Sequence, residues 1–139
     1  MTGYRLAVAL ALLSGSLGAS TLDAPGRVLW VIDGDTYQIS HAGAPLGEPV
    51  RARHFDTPEK GDRAKCDAER ARAAKATAEA RRLLPYGTAV LLSDFGRDRY
   101  GRLLATVTLP DGTDLSTWFI RRDLAHPYEG GRKADWCAR

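Results

Sequence analysis

The chain has 139 residues, 44% of them hydrophobic and 27% charged, with 20 Lys and Arg against 17 Asp and Glu. That length suits one domain with a real core and is short for two, and the composition argues against a disordered chain, a collagen-like repeat and a membrane channel. A formal charge of +3 is compatible with a phosphate-bearing partner without establishing one, so local clustering has to carry the argument.

Residues 1–20 differ from the rest. Met1 to Arg5 is a short start with one cation, Leu6 to Leu13 is almost wholly apolar, and Ser14 to Ser20 is small and polar. This is the order of a secretory signal peptide, with Gly18 and Ser20 meeting the small-residue requirement for cleavage before Thr21. The apolar run is well short of the roughly 20 residues that span a bilayer, which disfavours an anchor. The expectation is a secreted or periplasmic protein with one mature domain over residues 21–139 and no membrane association after cleavage. Cys66 and Cys137 are the only cysteines, and in an exported chain an even pair reads as a disulfide. Two free thiols are the alternative; neither cysteine has a partner at zinc-like spacing.

In chain order, Arg27 to Ile32 is a β-prone apolar run stopped by Asp33-Gly34, a strong hairpin signal, and Asp35 to Ser40 restarts a strand. His41 to Pro49, with its glycines and prolines, reads as a loop. Val50-Arg51-Ala52-Arg53-His54-Phe55 follows as a strand, with Val50, Ala52 and His54 expected on one face and Arg51, Arg53 and Phe55 on the other. Thr57-Pro58 stops it, since proline lacks an N–H and holds the residue before it extended. From Cys66 to Leu84 the residues are strong helix formers uninterrupted by Gly or Pro; Ala71, Ala74, Ala78 and Leu84 form the expected apolar stripe, with Arg70, Lys75, Glu79 and Arg82 outside it. Ala89 to Ser93 and Leu103 to Leu109 are two further strands flanking a polar loop from Asp94 to Arg102. Asp114 or Ser116 is placed to cap a second helix through Trp118 and Arg121, and His126 to Arg139 reads as irregular. Trp30, Trp118 and Phe119 are expected in the core, and His54 and His126 in packing or surface roles. Three strands, a helix, two strands and a helix predict an α+β chain, a five-stranded OB-fold β-barrel covered by two or three helices.

The chemistry-bearing residues are individually weak signals. Asp33-Gly34-Asp35-Thr36 alone reads as a turn; Asp56-Thr57-Pro58-Glu59 alone reads as a helix cap; Arg99-Tyr100-Gly101-Arg102 alone reads as a solvated loop. An EF-hand is excluded, because counting from Asp33 puts no Gly at the sixth position and no Glu at the twelfth. Taken together and in this order, with Arg51 five residues before Asp56, the motifs from about Val28 to Tyr128 resemble the staphylococcal nuclease (thermonuclease) family. The resemblance implies a Ca²⁺ held by Asp35, Asp56 and the backbone carbonyl of Thr57. It further implies Glu59 as general base, Arg51 and Arg102 gripping the phosphodiester, and Tyr100 and Tyr128 contacting the nucleotide. The implied activity is low-specificity hydrolysis of DNA and RNA, single-stranded or unpaired by preference, to 3′-phosphate ends by a monomer. Two departures stand out: the segment from Lys60 to Asp67 is short, and little chain follows Trp136-Cys137, where the expected Cys66–Cys137 bond takes over the clamping of the C-terminal end. The rival reading is a catalytically idle OB-fold module that binds single-stranded nucleic acid; a carbohydrate- or protein-binding OB domain has no positive feature in its favour.

Overall fold

In the computed structural model, residues 23–138 are described; the expected signal peptide lies outside them. Five strands close into a barrel in the order β1-β2-β3-β6-β5. They are β1 (Ala24–Asp33), β2 (Thr36–His41), β3 (Ala44–Ala52), β5 (Ala89–Arg97) and β6 (Leu103–Thr108), while the short β4 (His54–Asp56) pairs separately with β7 (His126–Tyr128). Helices α1 (Asp67–Leu83) and α2 (Leu115–Arg121) cover the barrel, preceded by a 3-10 turn over Gly61–Arg63. The expected five-stranded barrel with helices is therefore present. The barrel closes through a parallel pairing of Val50–Ala52 with Leu103–Ala105, and its interior is filled by side chains such as Val28, Tyr37, Ile39, Val50, Leu92 and Val107.

Several local expectations are corrected. The segment read as a loop before Val50 is β3 from Ala44 onward, paired with β2 from His41↔Ala44 to Thr36↔Arg51. Pro45 and Pro49 are tolerated there because β6 covers only Val50–Ala52, leaving the preceding part of β3 with a free edge. Trp30 is 56% exposed instead of core. The β1–β2 register slips between Val28 and Trp30 and again between Val31 and Asp33, and each slip changes which face a residue meets, so Val28 and Val31 point inward and Trp30 outward.

Phe55 does not share a face with Arg51. His54 has φ of +74°, and this left-handed residue turns the chain between β3 and β4, sending Phe55 inward to stack on Phe119 of α2 with ring centroids 5.3 Å apart. The polar loop expected from Asp94 is shortened by β5 running to Arg97, and the tail read as irregular contains β7.

Helix α1 begins where expected, with Cys66 as its cap accepting the Glu69 N–H. Its buried face is Glu69, Ala73, Ala76, Thr77 and Ala80; the expected stripe of Ala71, Ala74 and Ala78 is exposed, and Leu84 alone of that set is buried. With alanines on nearly every side, composition did not fix the face, and the one long buried side chain that does, Glu69, is polar. Helix α2 is capped by Asp114, whose carboxylate accepts the Thr117 N–H at 2.9 Å. Trp118 is half-buried and its indole N–H donates to Glu79 of α1 at 2.9 Å, joining the two helices.

Candidate active site

Arg51 occupies the last turn-facing stretch of β3, opposite Thr36 at the start of β2. That register places its guanidinium beside the Asp33–Asp35 turn on one side and the β4 exit on the other. One guanidinium nitrogen, Nη1, donates to the carbonyls of Ala52 and Phe55, the latter at 2.9 Å. The other, Nη2, lies 3.2 Å from Asp56 Oδ1 and 3.4 Å from Asp35 Oδ2. Arg51 is 6% exposed and Asp56 2%, so the charges meet where water screens them little. Lysine could offer no such fork.

The Asp33–Asp35 turn is locked to the Asp56–Thr57 segment. Asp35 Oδ2 accepts the Thr57 backbone N–H at 2.9 Å and its hydroxyl at 3.0 Å. Gly34 is required by this contact: a Cβ there would stand 2.7 Å from Thr57 Oγ1 and 2.8 Å from its methyl. The need for glycine is thus close approach, since the φ of Gly34 is not left-handed. Asp33 accepts the Asp35 N–H at 3.2 Å; burial first, then the neighbouring Asp35 charge, pushes the Asp33 carboxyl up to about 6. Burial also raises Asp56, against the opposing pull of Lys133 and Arg51.

Glu59 stands on the loop beyond Pro58. Its Oε1 accepts from Lys133 Nζ at 2.8 Å and its Oε2 faces Arg63 Nε at 3.4 Å. The buried Glu69 of α1 holds this loop from behind, accepting the backbone N–H of Glu59 at 3.0 Å and of Lys65 at 2.8 Å. Arg102 follows the β5–β6 loop, where its Nε donates to Asp98 Oδ2 at 2.7 Å while Asp98 Oδ1 accepts the N–H groups of Tyr100 and Arg102 at 2.9 and 3.0 Å. Tyr100 is 70% exposed, with the guanidinium carbons of Arg99 and Arg102 at 4.9 and 5.9 Å from its ring. The Tyr128 ring lies 5.8 Å from the Arg51 guanidinium, and its hydroxyl donates to Gly131 O at 3.0 Å.

Asp35, Arg51, Glu59, Tyr100, Arg102 and Tyr128 all line one cleft of about 820 Å³, together with Thr57. Asp56 sits behind its wall, reached through Arg51 and Lys133. The residues singled out by the motifs are thus brought together, and Cys66 and Cys137 form a disulfide with a Cα–Cα distance of 6.1 Å.

The cleft also contains groups the motifs did not single out: Lys133, Arg63, and His54, which is paired with Glu129 at 2.7 Å and bonded to Thr106 at 2.9 Å. Asp56 is the acid nearest to His54 in sequence, but the carboxylate that His54 bonds is that of Glu129, 75 residues away. Lys133 had a signal, since a Cys66–Cys137 bond forces the tail to pass close to residues just after Glu59.

The family described as staphylococcal nuclease homologue matches residues 49–135, well over half of the chain. The chain belongs to this family. Among its relatives, an "Uncharacterized endonuclease" from Escherichia coli, and another of the same description from strain O157:H7, are each 34% identical over 107 residues, covering 77% of this chain and 63% of the relative. "Succinoglycan biosynthesis protein ExoI" of Rhizobium meliloti is 36% identical over 98 residues, covering 65% of this chain and 45% of that protein. The chain therefore spans less than two thirds of the length of these relatives.

Among the described residues, no group of three or more His, Cys, Asp or Glu side chains stands at metal-holding spacing. Asp35 and Asp56 nevertheless give two near-buried carboxylates converging on one guanidinium nitrogen. This oxygen-only donor pair suits a hard divalent cation that takes the rest of its shell from backbone carbonyl, water and substrate oxygen.

Proposed function

We propose that this protein is a Ca²⁺-dependent nuclease that hydrolyses phosphodiester bonds of DNA and RNA with little sequence preference and leaves 3′-phosphate ends. The observation that carries this reading is the convergence of Asp35 and Asp56 on the Arg51 guanidinium, in a cleft that also presents Glu59 and Arg102. Asp35, Asp56 and the Thr57 carbonyl would hold the calcium ion. Bound there, the ion supplies charge neutralisation at a phosphoryl oxygen.

The chain's own residues account for the remaining work. A phosphodiester repels an attacking water and gathers further negative charge in its transition state, so two guanidiniums placed before reaction lower the barrier. Arg51 has one nitrogen fixed on backbone carbonyls and one facing the acids, which orients its plane without freezing it out of the cleft. Arg102 is steered by Asp98. Glu59, held by its backbone to Glu69, accepts the proton of the water or orients it. Tyr128 and the exposed Tyr100 give faces on which an unpaired base can stack, which favours single-stranded substrate.

The protein is further read as a monomer exported to the periplasm or beyond. The signal-like residues 1–20 and the Cys66–Cys137 bond support that location, because such bonds persist in oxidising compartments.

The test is digestion of single-stranded DNA with Ca²⁺ and with chelator, alongside Glu59→Gln, with the product ends mapped. Calcium-dependent cleavage lost in the variant is expected. Binding of the oligonucleotide without cleavage by the wild type would replace the enzyme with a nucleic-acid-binding module.

A further inference from the structure

The segment after β7 is a strap fixed at both ends. Tyr128 is anchored by its pairing with His54. Gly130 and Gly131 then both adopt left-handed φ, +102° and +80°, and reverse the chain. Trp136 is buried against His126 with ring centroids 3.7 Å apart, and Cys137 is bonded to Cys66. Between these anchors the strap carries Lys133 over the acid cluster. Its ammonium lies 3.0 Å from Asp56 Oδ1 and 2.8 Å from Glu59 Oε1, although the side chain is 43% exposed.

Holding a long, flexible and partly exposed lysine on two acids at once costs side-chain entropy, and a backbone fixed on either side of it lowers that cost. We infer that Lys133 is a positioning residue of the hydrolytic site, which holds Glu59 in its working orientation and occupies the Asp56 oxygen until a divalent cation takes it, and that the Cys66–Cys137 bond is what keeps Lys133 there. This deepens the proposed nuclease function and rests on it. The geometry is selective: of the cations around the cleft, Arg51 contacts Asp35 and Asp56, Arg63 contacts Glu59 and Asp33, and Lys133 joins Asp56 to Glu59.

Two opposite effects follow from removing the ammonium. Calcium no longer competes with it for Asp56, so binding tightens, by roughly tenfold for one charge at such a distance in a partly wet site. Glu59 loses a restraint, so turnover at saturating Ca²⁺ falls by roughly tenfold. A lysine that merely attracted the polyanionic substrate would instead raise KM and leave kcat alone.

The experiment uses the full chain as wild type, K133M, K133R, C66S/C137S and the triple variant C66S/C137S/K133M. Calcium affinity is read by isothermal titration calorimetry, and kcat and KM on single-stranded DNA at saturating Ca²⁺, below each variant's melting temperature. K133M is expected to bind Ca²⁺ tighter and to turn over more slowly, K133R to recover most of both, and C66S/C137S to reproduce both shifts. In the triple variant the cysteine substitutions add little to K133M, because both act through one contact. The inference is overturned if K133M matches wild type in affinity and kcat, or if removing the disulfide acts as strongly in the K133M background. Lys133 sits at an exposed position, so the single variants decide its role even if the cysteine variants fold poorly; the part of the bond is then read on folded wild type and folded K133M with and without reductant, where affinity and kcat that reductant leaves unchanged in wild type, or changes as much in K133M, overturn it. A wild type that titrates Ca²⁺ but does not cut sinks the nuclease reading while the calorimetric arm still judges Lys133. A wild type that cuts without Ca²⁺ sinks the calcium reading while the kcat arm still judges it, and one that does neither overturns both.

Discussion

Along one wall of the cleft, Arg51, Asp35, Asp56 and Thr57 are nearly sealed from solvent and cross-linked to one another, whereas Arg102 and Tyr100 stand on the open β5–β6 loop with Asp98 as their main support. The first wall couples stability to chemistry, because its charges have been taken out of water and depend on one another. The second can lose a side chain while the barrel stays intact. The comparison separates a part that must be preorganised from a part that can adapt to what enters the cleft.

Breaking the buried wall should have the largest effect. Arg51→Ala leaves Asp35 and Asp56 without the guanidinium they share, and is expected to cost about 3–5 kcal/mol of stability together with a loss of about 100- to 1,000-fold or more in nuclease activity. Denaturant unfolding beside the DNA assay checks both; full stability with activity lost would show that the two walls do not differ in this way. Next comes reduction of Cys66–Cys137, which joins residues 71 apart in sequence. Loop entropy puts its contribution at about 4 kcal/mol, visible as a large fall in melting temperature under reductant.

The open wall gives the contrast. Arg102→Ala is expected to lower activity by about 100- to 1,000-fold while changing stability by less than about 0.5 kcal/mol, because Asp98 keeps its bonds to the loop backbone. A stability loss like that of Arg51→Ala would erase the distinction.

The smallest effect lies outside the cleft and serves as a control. The Arg82 hydrogen bond holds the Glu79 carboxyl down to about 2, from an ordinary 4.5, against burial and with help from the Trp118 indole. A depressed carboxylate stabilises the fold above its unfolded value and loses that contribution as pH falls through the folded one, so stability should drop between about pH 4.5 and 2. Glu79→Gln should flatten that part of the profile, at a cost of about 1 kcal/mol near neutral pH, with activity near neutral pH retained.

Much of this was legible in sequence where local chemistry decides. The Asp-Gly turn, the Cys66 start of α1 and the Asp114 cap are short-range signals, whereas the expectation that the two separated acid motifs meet at one place rested on the family resemblance. Faces and long-range partners were less accessible. Trp30 points outward because a register slip changes the alternation, and Phe55 turns inward because His54 is left-handed, neither of which composition announces. Glu69 reads as an ordinary helix acid until its carboxylate is found beneath the Glu59 loop, and Glu129 and Lys133 meet their partners only through the β4–β7 pairing and the disulfide.

The parallel ladder between β3 and β6 has one more consequence. Arg51 lies within its three paired residues, opposite Leu104, so the guanidinium reaches its final setting only when segments on either side of α1 have zipped together and sealed the barrel. A nascent or half-folded chain carries every ingredient and lacks the assembled centre. Assembly of this centre during refolding should therefore lag helix formation and coincide with closure of the barrel, because long-range pairing forms more slowly than local helix.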